Sequence, residues 1–95
     1  MYELSKRVVG SSLRKLRETA GLTQTELAHR LLMPQSYVSK VETGERALRV
    51  GEVFAYSEAL GIPAEAVLQT LAESLDGAGR DAQRHLQAQW HDGGH

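Results

Sequence analysis

Four polar residues crowd positions 35 to 40: Gln35, Ser36, Ser39 and Lys40. Wound into a helix, they share its outer side, while Val38 and Val41 point inward. A carboxamide carries a donor and an acceptor, a hydroxyl either, and an ammonium donors only. Such a set suits hydrogen-bond recognition of a partner rather than the making or breaking of bonds.

The rest of the chain offers little to chemistry of the second kind. There is no cysteine, so thiolate metal sites and disulfides are excluded. The four histidines are His29, His85, His91 and His95. His91 and His95 stand four apart, but glycines separate them at a chain end that should fray. No Gly-rich phosphate loop and no Ser/His/Asp arrangement is visible. At 95 residues the chain forms one modest core, too small for an ordinary enclosed cleft. An enzyme is therefore not expected, nor is a metal or cofactor. No apolar run approaches the roughly 20 residues that span a bilayer, and Met1–Arg7 lacks the apolar stretch of a secretory signal. The expected location is the cytoplasm.

The net charge of -1 conceals an asymmetry. Residues 1–50 hold nine Lys/Arg against five Glu, or +4. Residues 51–95 hold Arg80 and Arg84 against seven Asp/Glu, or -5. A basic half beside an acidic one suits a partner that is a polyanion.

The elements that must position the polar set read as helices. Val9, Leu13, Leu16 and Ala20 recur on one helical face, and Gly21 stops that helix. Thr23-Gln24-Thr25-Glu26 is a capping box that opens a second helix, with Leu22 and Leu27 as its hydrophobic staple. Leu27, Ala28 and Leu31 face inward. Met33-Pro34 should end this helix, and a third runs from Gln35 to Thr43, closed by Gly44. A fourth spans Val50 to Leu60, with Val53, Ser57 and Leu60 inward. Pro63 opens a fifth, with Val67, Leu68, Leu71 and Leu75 on one stripe. Residues 1–76 make the all-α domain. Residues 77–95 read as a polar tail, partly helical or disordered, with a loose helix over 80–90.

Helices two and three, joined by about three residues, make a helix-turn-helix connection. The stretches Leu13–Arg17, Gly21–Ala28, Gln35–Gly44 and Ala59–Ile62 resemble, in order, the Cro/cI-type (XRE) DNA-binding family of phage repressors and bacterial regulators. The resemblance spans about residues 9 to 70 and implies a five-helix lambda-repressor-like fold. It implies that the third helix enters the major groove of double-stranded DNA. Gln35 would read adenine there, and Ser36, Ser39 and Lys40 would meet further base edges. It also implies that Gln24 touches the DNA backbone and braces Gln35, that Arg46 and Arg49 contact phosphate, and that Arg17 pairs with Glu42. The Gln24 position, at a positive helix end, favours a phosphate on physical grounds too. Tyr37 and Thr43 could donate hydroxyls to the backbone. Glu45 would repel it.

The expected function is a sequence-specific transcriptional regulator, a homodimeric repressor on a palindromic operator. The alternative is an antitoxin-type protein that neutralises a partner and autoregulates its operon. Val67, Leu71, Leu75, Leu86 and Trp90 are candidates for a dimer interface, or for docking a protein such as a toxin or polymerase. Phe54 and the three tyrosines form no stacking platform, which argues against single-strand RNA reading.

Overall fold

The computed structural model describes residues 2–77, with side chains from Ser5 onward. Within them the order is α1 (Tyr2–Thr19), α2 (Gln24–Leu31), α3 (Gln35–Thr43), α4 (Val50–Leu60) and α5 (residues 64–77). All the regular structure among the described residues is helical. The proposed tail, including Leu86, Trp90 and the loose helix over 80–90, lies outside them.

Each helix owes its limits to local chemistry. At the start of α2 the Thr23 hydroxyl accepts from the Glu26 amide at 3.0 Å, and the Glu26 carboxylate accepts from the Thr23 amide at 2.9 Å. Two donors that helix geometry leaves unpaired are thereby satisfied. The Thr23 amide, and then the Thr23 hydroxyl, hold the Glu26 carboxyl below the usual range. Met33-Pro34 does not end α2 directly. Leu32 does, by turning left-handed at φ 57°, so that its amide bonds back to His29. The turn to α3 is then Leu32-Met33-Pro34. At α4 the Glu52 carboxylate accepts from the Arg49 amide at 2.8 Å.

The apolar stripes meet in one core built from Leu13, Leu27, Val38, Val41, Tyr56 and Val67, all at most 1% exposed. Leu22, Ala28, Val53, Ala59, Leu60 and Leu71 complete it. Complete burial of such a side chain is worth about 1.5–3 kcal/mol, so this cluster drives folding. Two stripe residues fall elsewhere. Ala20 is exposed, because α1 has ended at Thr19. Leu68 is 44% exposed, because α5 turns only its Val67–Leu71 side to the core.

α1 crosses α3 at close range. A Cβ on Gly10 would lie 2.3 Å from the Val41 carbonyl oxygen and 2.7 Å from that of Glu42. Only glycine lets α1 cross the last turn of α3 at this distance. Ser12 donates to Ser74 at 2.7 Å and so ties α1 to α5 as well. The helix carrying the polar set is thus clamped from behind.

Candidate nucleic-acid interface

Clamping decides which side of α3 faces outward. Val38 and Val41 are buried, while Gln35, Ser36 and Lys40 are exposed and Ser39 is half-buried. The four residues named as base readers therefore share an accessible strip on the helix that follows the tight turn.

Behind that strip runs a continuous chain of hydrogen bonds. Arg17 of α1 donates from Nε and Nη2 to the two carboxylate oxygens of Glu42, at 2.6 and 3.0 Å. Its Nη1 donates to the Leu22 carbonyl at 2.8 Å, which fixes the turn before α2. Both charged side chains are almost wholly buried. The hydrogen bond to Glu42 raises the pKa of Arg17 further above its usual value, outweighing the loss of solvation. Gln24 Nε2 donates to Glu42 Oε1 at 2.9 Å, and Gln35 Nε2 donates to Gln24 Oε1 at 2.6 Å. A buried ion pair is therefore linked, through one intermediate amide, to the first residue of α3.

The loop after α3 is organised by a second pair. Arg46 meets both oxygens of Glu52 at 3.0 Å and donates to the Ala47 carbonyl at 3.1 Å. Its guanidinium lies over the Tyr37 ring, 4.7 Å from the centroid. Tyr37, expected to offer its hydroxyl outward, is 8% exposed and donates to Glu52 at 2.8 Å. Burial, then that bond to a carboxylate, pushes the Tyr37 pKa up to about 12. Burial alone would raise the Glu52 pKa. Bonds from Arg46, the Arg49 amide and Tyr37 together outweigh it and bring it down to about 2. Arg46 and Tyr37 are thus committed to shaping the loop. The Thr43 hydroxyl is likewise held, against Glu45 at 3.1 Å and the Lys40 carbonyl at 3.3 Å. Arg49 is exposed.

Two basic residues outside the expected set stand beside this loop. A Cβ on Gly44 would meet Arg7 at 3.0 Å, so Arg7 lies over the end of α3. Lys6 lines a shallow hollow with Arg46, Ala47 and Leu48. The signal available in the sequence was Gly10, whose need for a close crossing brings the first turns of α1 to the end of α3.

The interface assigned to α5 is corrected in part. Val67 is wholly buried and Leu71 is 7% exposed, both against this chain's own core. They have no surface left for a partner. Leu75 is half-buried. Among the described residues no three His, Cys, Asp or Glu are placed to hold a metal, and no helix is long and apolar enough to cross a membrane.

The helix-turn-helix family profile matches residues 13–76, the span that carries the turn, both ion pairs and the exposed strip. The chain belongs to the helix-turn-helix family, of the XRE type. Its relatives are transcriptional regulators. It is 37% identical over 57 residues to the HTH-type transcriptional regulator y4dJ of Sinorhizobium fredii, covering 60% of this chain and 74% of that one. Among solved structures it is similar to the clp gene regulator ClgR of C. glutamicum, with a TM-score of 0.67 and 28% identity. That match covers 74% of this chain and 91% of the other. It is also similar to the restriction-modification controller protein C.AhdI of Aeromonas hydrophila. There the TM-score is 0.60, the identity 33%, and the coverage 64% and 92%. The all-α, lambda-repressor-like fold expected from the sequence is the fold of these regulators.

Proposed function

We propose that this protein binds double-stranded DNA sequence-specifically and represses transcription as a homodimer on a palindromic operator. The observation that carries the reading is the accessible strip of exposed Gln35, Ser36 and Lys40 with half-buried Ser39, on a helix fixed from behind. A helix fits the major groove, where each base pair presents its own donors and acceptors. Gln35 faces adenine, and Lys40 a guanine or a phosphate. Arg49, Gln24 and, beyond the sequence reading, Lys6 and Arg7 meet the phosphates. Arg46, Tyr37 and Thr43 hold the loop that presents them. Phosphate contacts set affinity and register and carry no sequence information.

The homodimer is supported by the general geometry of such operators, in which half-sites about 34 Å apart need two copies of the reading helix. Val50 and Phe54, one turn apart on α4, leave apolar surface exposed beyond the core. A repressor of this kind acts in the cytoplasm, by occupying its site.

Fluorescence anisotropy tests the reading, with duplex from upstream of the gene against scrambled duplex at two salt concentrations. Wild type binds the first more tightly, and Gln35→Ala loses the preference while keeping the salt dependence. Equal binding of wild type to both duplexes would overturn it. Sedimentation with the preferred duplex tests the dimer, which a single copy per site would exclude.

A further inference from the structure

Glu42 has no direct route to DNA, being 7% exposed behind α3. Its chemistry nevertheless reaches the surface through the amides of Gln24 and Gln35. We propose that the buried Arg17–Glu42 pair fixes the hydrogen-bond polarity of the Gln35 amide, so that Glu42, acting through Gln24, is a positioning residue that sets base preference. The proposal rests on the reading of α3 as the base-reading helix and adds the origin of its selectivity.

The argument is one of donors and acceptors. A carboxylate only accepts, and both Glu42 oxygens already accept from Arg17, at 2.6 and 3.0 Å. Gln24 must therefore turn its NH2 group toward Glu42, which directs its carbonyl oxygen toward Gln35. Gln35 in turn must spend one N–H on Gln24. It presents outward the remaining N–H and its carbonyl oxygen. That pattern, one donor beside one acceptor, complements N7 and the N6 amino group of adenine. Guanine offers two acceptors, N7 and O6, and would leave the Gln35 carbonyl oxygen facing an acceptor. Were the order reversed, Gln35 would accept from position 24 and present two N–H groups, which suits guanine. The choice between the purines is thus made at Glu42, inside the protein.

The relay can be reversed without touching the core. Gln24 is half-buried at the start of α2 and contributes to no apolar cluster. A lysine there carries donors only. It can give one hydrogen to Glu42 and another to the Gln35 carbonyl oxygen. Gln24→Lys should therefore invert the preference, and Gln24→Ala should erase it.

The test uses the full chain and a randomised duplex pool to find the preferred site of wild type. The base pair read by Gln35 is the one whose preference Gln35→Ala loses. Duplexes differing only there are then compared by anisotropy, with thermal melts of each protein to show that it is folded. Wild type should favour adenine over guanine by about tenfold. Gln24→Ala should bring the two within about twofold, and Gln24→Lys should favour guanine. Ratios within one protein cancel the general affinity gained from an added positive charge. A bracing role alone would weaken all duplexes alike and leave the ratio unmoved. If Gln24→Lys keeps the wild-type preference, the relay is overturned while the base-reading helix stands. If wild type selects no sequence at all, the base-reading role falls and the relay falls with it.

Discussion

Arg17 with Glu42 and Arg46 with Glu52 are the same chemical pair used twice. Both are two-pronged, with N–O distances between 2.6 and 3.0 Å. What differs is the surroundings. The first pair's side chains are 10% and 2% exposed and join α1 to α3; the second pair's are 36% and 24% exposed and join the loop to α4. A buried charge that loses its partner cannot turn to water, whereas a half-exposed one can. The first pair therefore makes the fold conditional on its own integrity. The second holds the loop that the proposed function sets against DNA. Geometry alone would not tell the two apart.

Removing the first pair's cation should break this contrast most visibly. Arg17→Ala strands Glu42 and should cost about 3–5 kcal/mol. That is much of the roughly 5–15 kcal/mol that stabilises a domain. Urea denaturation should find its midpoint shifted far below that of wild type, and Arg46→Ala shifted much less. Equal losses would mean that burial does not separate the pairs. The double change Arg17→Met with Glu42→Leu sharpens the point. It removes both charges, should recover most of the stability, and should still loosen base selectivity because Gln24 has lost its acceptor.

Gly10→Ala attacks the same pair indirectly. The added methyl would press on two backbone carbonyls of α3, which cannot swing away as a side chain would. Moving α1 outward should cost about 1–3 kcal/mol. It should also weaken DNA binding, because Arg17 moves with α1. A melting temperature equal to wild type would show that the crossing is softer than its distances imply.

The second pair answers to pH. The Glu52 pKa is lowered from 4.5 to about 2 in the folded chain. The ionised form is thus the one that folding favours. Its contribution is complete above about pH 4.5 and is lost as pH falls toward about 2. Partial exposure limits it to on the order of 1 kcal/mol. Wild type should exceed Glu52→Gln in stability at pH 6, and the gap should close as the solution is acidified. A gap that stays constant down to pH 2 would show that the carboxylate is not what the loop relies on.

The sequence made the first pair visible only through family resemblance, and the second not at all. Capping chemistry is local, so Thr23 to Glu26 and the helix limits could be read directly. Arg46 and Glu52 are joined by a loop of irregular shape, and no periodicity brings them together. Tyr37 shows the cost. Its hydroxyl looked available for phosphate because Glu52, its acceptor, lay out of sight. Val67 and Leu71 failed similarly, since an apolar stripe on a helix does not say whether the chain itself or a partner covers it. The exposed strip on α3 was legible because its burial pattern follows from helical period alone.

Leu32 should give the smallest effect, and of opposite sign. It holds φ 57° at the turn before α3 and is 89% exposed. A left-handed conformation costs a residue with a Cβ about 1–2 kcal/mol. Glycine avoids that strain but loses about 0.5–1 kcal/mol more chain entropy on folding. The leucine side chain buries almost nothing that would be missed. Leu32→Gly should therefore stabilise the domain by a few tenths to about 1 kcal/mol, read as a small rise in melting temperature. The turn lies away from both ion pairs, so the gain should add to the effect of Glu52→Gln rather than change it. If instead Leu32→Gly destabilises while leaving DNA selectivity intact, then the leucine side chain is packed against something in solution. The strained turn would then be a contact surface rather than a tolerated fault.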